Sequence, residues 1–288
     1  MQAGCPCCSF RLEQQDLFLP PSIKEEEEAA DQFLSEPPSP QEAYERLKEH
    51  TSLLLDTHCH AHVGQTVDAK YTSKHCIPHL TCALHPNDWQ ASLEYCQDSQ
   101  HRKPALGVHP WQFMHLPSDW LERLRQLLLE HPHCMVGEVG LCSEARVVRH
   151  HSKGKQEGLR LQRQVFRQQL QLATELQRHV SMHCVQCEKD LIQILKDQES
   201  LPPAISIHSF GGTAHQVQQL LQAAGTKTKL YFGISHYVNL STGKSRQRHV
   251  KTIQTIPSDR LLAESDVSSP SDVALGTAAA VGYLAWAL

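Results

Sequence analysis

The most constraining feature of the chain is an alternation, from residue 52 onward, of short apolar runs with longer segments of helical period. The runs predict strands at residues 53–56, 79–84, 105–109, 134–138, 180–183, 204–208, 229–234 and 260–264. Between them, segments such as 159–176 repeat apolar residues at three- and four-residue intervals, which is typical of amphipathic helices. Eight such units in 288 residues fit one closed parallel barrel. We therefore predict an α/β fold, a TIM-type (β/α)8 barrel.

The first 50 residues differ from the rest of the chain in composition. They contain an acidic run, Glu25 to Glu28, and a proline-rich stretch from Glu36 to Pro40. A segment of this kind buries little apolar surface and tends to stay unfolded. We predict a disordered or weakly helical acidic leader over residues 1–50 and the barrel domain over residues 51–288.

The C-terminal residues 273–288 carry no charge, whereas the outer helix of a barrel normally has a polar face. They are fewer than the roughly 20 residues that a membrane span needs. We expect a shortened, atypical final helix that packs loosely against the first and eighth strands, without stable membrane association.

The 11 irregularly spaced cysteines and the absence of a secretory signal predict free thiols and an intracellular location, cytoplasmic or nuclear. No protein partner is indicated.

Residues that bind metals recur at the carboxyl ends of the predicted strands. His58 and His60 follow the first strand, and their spacing places both imidazoles on one face. Four further strands end in, or run into, Glu138, His183, His208 and Asp266. Active sites of such barrels lie at this end. The six residues therefore predict a centre for zinc, manganese, iron or magnesium.

The predicted ligands also indicate a reaction class. A carboxylate between two groups of histidines, as Glu138 would be, can bridge two cations. Two cations about 3.5–4 Å apart activate a water and stabilise the leaving oxygen of a phosphodiester. Asp266 can bind metal and take the proton from that water. We therefore predict hydrolysis with two divalent cations, Mg, Mn or Zn, and with Asp266 and Glu138 as catalytic residues.

Several segments, taken in order, resemble the signatures of TatD-type metal-dependent deoxyribonucleases over about residues 52–268. They are Asp56-Thr57-His58-Cys59-His60, Gly107-Val108-His109-Pro110, Gly137-Glu138-Val139-Gly140-Leu141, Met182-His183, His208-Ser209-Phe210-Gly211-Gly212 and Glu264-Ser265-Asp266. The resemblance implies a TIM barrel, hydrolysis of DNA and metal binding by the six residues above. It also implies that His109 and Glu264 line the site and hold the substrate phosphate or a further cation.

Two positions depart from the family's pattern, Cys142 where aspartate is usual and Val185 where arginine is frequent. Both remove polar groups near the substrate and leave the ligands intact.

Basic side chains follow the fourth and seventh strands, at 146–163 and 244–251, where they either meet phosphates or form an ordinary solvated helix face. The alternatives to a DNA hydrolase are a metal-binding scaffold protein and an amidohydrolase for a small molecule.

Overall fold

The structure, a computed structural model, describes residues 36–63, 77–239 and 249–288. Its centre is an eight-stranded sheet in which each strand pairs in parallel with the next along the chain. The strands are β1 Asp56–Cys59, β2 His79–Cys82, β3 Arg102–Leu106, β4 Met135–Cys142, β5 Val180–Val185, β6 Ala204–Ile207, β7 Lys229–Ser235 and β8 Leu261–Glu264. Just past β8, the Asp266 N–H donates to the His58 carbonyl at 3.0 Å and closes the barrel. The predicted barrel is confirmed.

Helices lie between the strands and at both ends of the folded part. They are α1 Pro40–Leu47, α2 Trp89–Gln97, α3 Trp120–Glu130, α4 Arg146–Arg149, α5 Lys155–Glu175, α6 Glu188–Asp197, α7 Ala214–Ala224, α8 His236–Asn239, α9 with described residues 249–253, and α10 Val273–Ala287. The longest, α5, buries Leu159, Phe166 and Leu170 against the barrel, as its apolar period predicts.

Each predicted strand exists, but several bounds shift. β1 begins at Asp56 and not at Leu53, because the buried Asp56 carboxylate accepts hydrogen bonds from the His58 N–H of the same strand and the Ser265 N–H just past β8, while Leu53 and Leu55 stay exposed. β3 begins earlier, at Arg102, and β4 extends past Glu138 to Cys142. The sequence predicted that His58 follows the first strand and that Glu138 ends the fourth. Both positions are wrong, because His58 lies within β1 and Glu138 lies within β4.

The folded part begins before residue 51. The compact unit starts at Pro37, and α1 within it packs against α10. α1 starts at a capping box formed by Ser39 and Glu42, and its Ala43 is buried. The predicted leader boundary at residue 50 therefore lies inside the compact unit, and the disorder predicted for residues 1–35 lies outside the described residues.

The uncharged C-terminal helix α10 is buried on several sides. It contacts β1, β7 and β8 on the barrel and α1 on its other side. Ala278, Ala279, Ala280 and Tyr283 are fully buried. The predicted packing against the first and eighth strands is correct, but it is tight and not loose. Among the described helices, none is long and apolar enough to cross a membrane.

Candidate metal centre

The six predicted metal ligands converge at the carboxyl end of the barrel, around Glu138. One carboxylate oxygen of Glu138, Oε2, lies 3.5 Å from His58 Nε2 and 3.2 Å from His60 Nε2. Asp266 Oδ1 lies 3.7 Å and 3.6 Å from the same two nitrogens. We call His58, His60 and Asp266 the β1 side of the centre.

The other oxygen, Glu138 Oε1, faces a second group of imidazoles. It lies 2.9 Å from His183 Nδ1, 2.7 Å from His208 Nε2 and 3.1 Å from His109 Nε2. We call His109, His183 and His208 the β5 side. Glu138 thus stands between two groups of side chains, and each of its oxygens faces one of them.

Close approach of β4 and β5 brings Glu138 to His183. Gly140 pairs with His183 in the register of the two strands and has a φ of 144°. A Cβ at Gly140 would overlap the His183 carbonyl, so a larger residue would push the strands apart. Asp266 has a φ of 56°, which is uncommon for a residue with a side chain and turns its carboxylate back toward His58 and His60.

The hydrogen bonds of His60 fix which of its nitrogens is available to a metal. Its Nδ1 donates to the Cys82 carbonyl at 2.7 Å, because a carbonyl can only accept. The lone pair of neutral His60 is then on Nε2, which points at the Glu138 carboxylate. Two electron-rich atoms at that separation repel each other unless a proton or a cation lies between them. On the β5 side, His183 Nδ1 and His208 Nε2 lie 3.0 Å apart, and both face Glu138 Oε1. The donor set therefore fits a metal centre.

His109 is a hydrogen-bond donor in this arrangement. The Trp111 backbone N–H donates to His109 Nδ1 at 3.1 Å, so the imidazole hydrogen lies on Nε2. That nitrogen donates to Glu138 Oε1 and offers it no lone pair. His109, Glu138 and His183 are close enough to hold an ion, but this tautomer excludes His109 as a ligand. His109 thus lines the site, as the resemblance implied, but this tautomer argues against its holding a further cation, and its contact with a substrate phosphate stays a prediction.

The charges of the centre follow from burial and from these contacts. Burial raises the pKa of Glu138, but the neighbouring His109 and His208 outweigh it and hold the pKa well below its usual range. Burial lowers the pKa of His60, yet hydrogen bonds to Asp266 and Glu138 raise it overall to about 10. For Asp266, burial raises the pKa but hydrogen bonding to His60 lowers it to about 2. Without a cation, the raised pKa of His60 favours a protonated imidazole beside the two carboxylates.

Glu264, predicted to line the site, is fully buried beneath it. Its carboxylate accepts hydrogen bonds from the Ser209 backbone N–H and from Ser209 Oγ, and its Oε1 is 3.8 Å from His208 Nδ1. Burial and the nearby Asp266 raise the pKa of Glu264 well above the usual range. Glu264 therefore reaches a substrate only through Ser209, His208 or Asp266.

Three buried side chains that support the centre were not singled out from the sequence. The Asp56 carboxylate accepts from the His58 N–H at 3.0 Å, the Ser265 N–H at 3.2 Å and Thr277 Oγ1 of α10 at 2.9 Å. Asp56 precedes His58 in the strand, but neither its residue type nor its position indicated that it would be buried.

The other two are Gln162 and Gln169 of α5. Gln169 Oε1 accepts from the Val108 N–H at 2.7 Å, and Gln162 bonds Cys142 N–H and the Pro110 carbonyl at 2.9 Å and 2.8 Å. Both glutamines fall on the apolar stripe of α5, seven residues apart, and a polar residue on a buried stripe is a signal that could have identified them.

The basic segment after β4 is largely neutralised by its own neighbours. Arg149 and Lys155 lie 3.5 Å and 3.7 Å from Glu144, and Arg163 lies 2.7 Å from Asp190. Exposed pairs of this kind contribute little to stability, but they reduce the positive charge offered to a phosphate. This favours an ordinary solvated helix face. The second basic segment falls partly outside the described residues.

Comparisons with known proteins agree with this site. A family model described as TatD related DNase matches residues 55–275. Cut9-interacting protein scn1 of Schizosaccharomyces pombe is 29% identical over 196 residues, which are 54% of this chain and 57% of that protein. A protein named 3'-5' ssDNA/RNA exonuclease TatD, from Pectobacterium atrosepticum, is 31% identical over 182 residues, 62% of this chain and 60% of the relative.

The chain thus spans less than two thirds of the length of these relatives. Among solved structures, YJJV, a TatD homolog from Escherichia coli K12, superimposes with a TM-score of 0.64 at 21% identity, covering 81% of this chain and 90% of that one. At this identity the likeness shows the fold.

Proposed function

This chain belongs to the TatD-related DNase family, and from that membership we propose that it is a divalent-metal-dependent nuclease that hydrolyses phosphodiester bonds of DNA. The observation that carries the proposal is the position of Glu138, whose two oxygens face separate groups of nitrogen and oxygen donors. A shared carboxylate of this kind suits two neighbouring cations better than one.

The residues would be divided between two cations. His58, His60, Asp266 and Glu138 would hold one, and His183, His208 and Glu138 would hold the other. When bound, the cations would supply Lewis-acid chemistry, lowering the pKa of water and stabilising the charge on the leaving oxygen.

The protein's own residues would position the reactants and move the proton. Asp266 has a side chain that is 15% exposed, so it faces the mouth, and its low pKa keeps it ionised at neutral pH, as the group that accepts the proton of the attacking water must be. Ser209 Oγ, 3.3 Å from Asp266 Oδ2, orients that carboxylate. His109 donates to Glu138 and keeps its Oε1 directed at the β5 side.

The proposal is tested with end-labelled single-stranded DNA, incubated with Mg²⁺, Mn²⁺ or Zn²⁺ and then with EDTA. We expect cleavage that needs a divalent cation and stops when the cation is chelated. Single-stranded RNA is assayed in parallel, because the Pectobacterium relative's name includes both nucleic acids. Cleavage that persists in EDTA after metal analysis shows an empty protein would overturn the proposal.

Two other outcomes would point to the alternatives. Metal binding without hydrolysis of any nucleic acid would favour a scaffold protein. Hydrolysis of small amides without cleavage of nucleic acid would favour an amidohydrolase.

A further inference from the structure

Trp111 is an exposed aromatic residue at the edge of the metal centre. It follows Pro110 in the loop after β3, and it is 54% exposed. Its ring centroid lies 5.1 Å from that of His109 and 6.1 Å from that of His183. A large apolar surface therefore lies open to solvent directly beside the β5 side.

Several contacts hold Trp111 in this place. Its backbone N–H donates to His109 Nδ1, and its ring meets the His109 and His183 rings edge to face, at interplanar angles of 87° and 74°. These contacts restrict the Trp111 side chain before any ligand arrives, which favours binding.

A second exposed apolar residue, Val185, lies at the carboxyl end of β5. Val185 pairs with Cys142 in the β4–β5 register and is 37% exposed. It ends β5, two residues after His183. Trp111 and Val185 thus border the β5 side on the solvent side, whereas the β1 side ends in the carboxylate of Asp266. We call Trp111 and Val185 the apolar rim.

We propose that the apolar rim is a nucleobase subsite, in which an unpaired base of the substrate strand stacks on Trp111 while its phosphate lies at the metal centre. The proposal rests on the proposed function. An aromatic side chain binds any base through its π face, and such stacking is worth about 1–3 kcal/mol per base in other proteins. Bases inside a duplex already have both faces covered. The subsite therefore selects single-stranded ends or loops and does not read sequence.

The test compares two substrates in one assay, an oligonucleotide with normal bases and one of the same length with an abasic unit at the cleaved end. Wild-type protein should show a KM for the normal substrate about 5- to 150-fold below that for the abasic one, the factor that base stacking on an aromatic side chain provides. Trp111→Ala should raise KM for the normal substrate to the abasic value and change kcat little. The KM of Trp111→Phe for the normal substrate should lie between those of wild type and Trp111→Ala.

Leu129→Ala is the matched control, because Leu129 is 55% exposed but lies on α3, away from the mouth. It should behave as wild type. Melting temperature and metal content, measured for every variant, separate a binding loss from misfolding. If Trp111→Ala raises KM equally for both substrates, or still has a lower KM for the substrate with a base, Trp111 has only a structural role and the proposal is wrong.

A measurement without cleavage separates this proposal from the proposed function. Titration of the metal-free protein with oligothymidylate should quench tryptophan emission, since Trp89 and Trp120 are buried, Trp286 is partly buried on α10 and stacked on Tyr283, and Trp111 is exposed beside the site. Trp111→Phe should abolish most of the quenching. Quenching without any metal-dependent cleavage would keep the subsite and reject the nuclease, whereas cleavage with no quenching and no base preference would keep the nuclease and reject the subsite.

Discussion

The two sides of the metal centre rest on different chemical supports. Under the β1 side, the buried carboxylate of Asp56 ties β1 to β8 and to α10. Under the β5 side, the side-chain amides of Gln162 and Gln169 tie the ends of β3 and β4 to α5. The first support can ionise and the second cannot. Changes of pH should therefore act on one half of the centre more than on the other, although Glu138 joins them.

The largest loss of activity is expected at Glu138, which joins the β1 side and the β5 side. Glu138→Gln keeps the shape of the side chain but removes the charge that both groups of ligands share. We expect a loss of about 10³-fold or more in kcat/KM, together with loss of metal from both sides. Metal analysis of the purified variant checks this. If the variant keeps both cations and full activity, Glu138 is not the bridging residue.

A smaller effect is expected when only the β1 side is changed. Asp266→Asn keeps the size of the side chain and removes the base that accepts the proton from water. We expect kcat to fall by about 10²-fold, with the β5 side still able to hold its cation. His183→Gln is the companion variant and should lose the other cation. Equal metal loss in both variants would show that the two sides do not bind independently.

Asp56 should make the stability of the fold depend on pH in an unusual direction. Burial raises its pKa from 3.8 to about 6, and hydrogen bonds lower it only in part. Between about pH 4 and pH 6 the folded protein therefore keeps a proton that the unfolded chain releases. This contribution is complete below about pH 4 and is lost as pH rises through about 6, by up to about 3 kcal/mol.

The measurement compares wild type with Asp56→Asn in urea denaturation at several pH values. The free energy of unfolding of wild type should fall relative to that of the variant between about pH 4 and pH 6. Other carboxylates titrate alike in both proteins and cancel in the difference. A difference that stays constant over this range would show that Asp56 is ionised in the folded state.

The stability that Gln162 provides under the β5 side should not depend on pH. Gln162→Ala leaves the buried Cys142 N–H and Pro110 carbonyl without their partner, and we expect a loss of about 1–3 kcal/mol in stability. The loss should be the same at every pH, since no group titrates. Gln164→Ala, at an exposed position on the same helix, is the control and should be neutral. A loss that varies with pH would contradict the contrast between the two supports.

Much of this architecture follows from local patterns in the sequence. Alternating apolar runs predicted the strands of the barrel, and ligand-type residues at strand ends predicted a cluster that includes His58, Glu138 and His183. Strand bounds were less accurate, because polar residues such as Asp56 and Arg102 are strand residues here and the apolar run Leu53–Leu55 is not. A buried carboxylate depends on partners more than 200 residues away, which no local pattern contains.

The roles of His109 and Trp111 also depended on structure. The resemblance of Gly107-Val108-His109-Pro110 to a family signature implied that His109 lines the site, but its tautomer follows from a hydrogen bond with the backbone of Trp111. No local pattern in the sequence indicates that Trp111 is exposed at the site. Only its exposure beside His183 distinguishes it from the buried Trp89 and Trp120.

The contact between α1 and α10 has a consequence for how the protein is made. Gly282 of α10 lies so close to Ala43 of α1 that a Cβ there would be 2.7 Å from the Ala43 Cβ. On the ribosome, α1 is synthesised before the eight strands and α10 after them. Until α10 has been synthesised, α1 has no partner helix, and the uncharged α10 stays exposed until it packs against α1 and the barrel. Chaperones that bind exposed apolar helices would act before this contact forms.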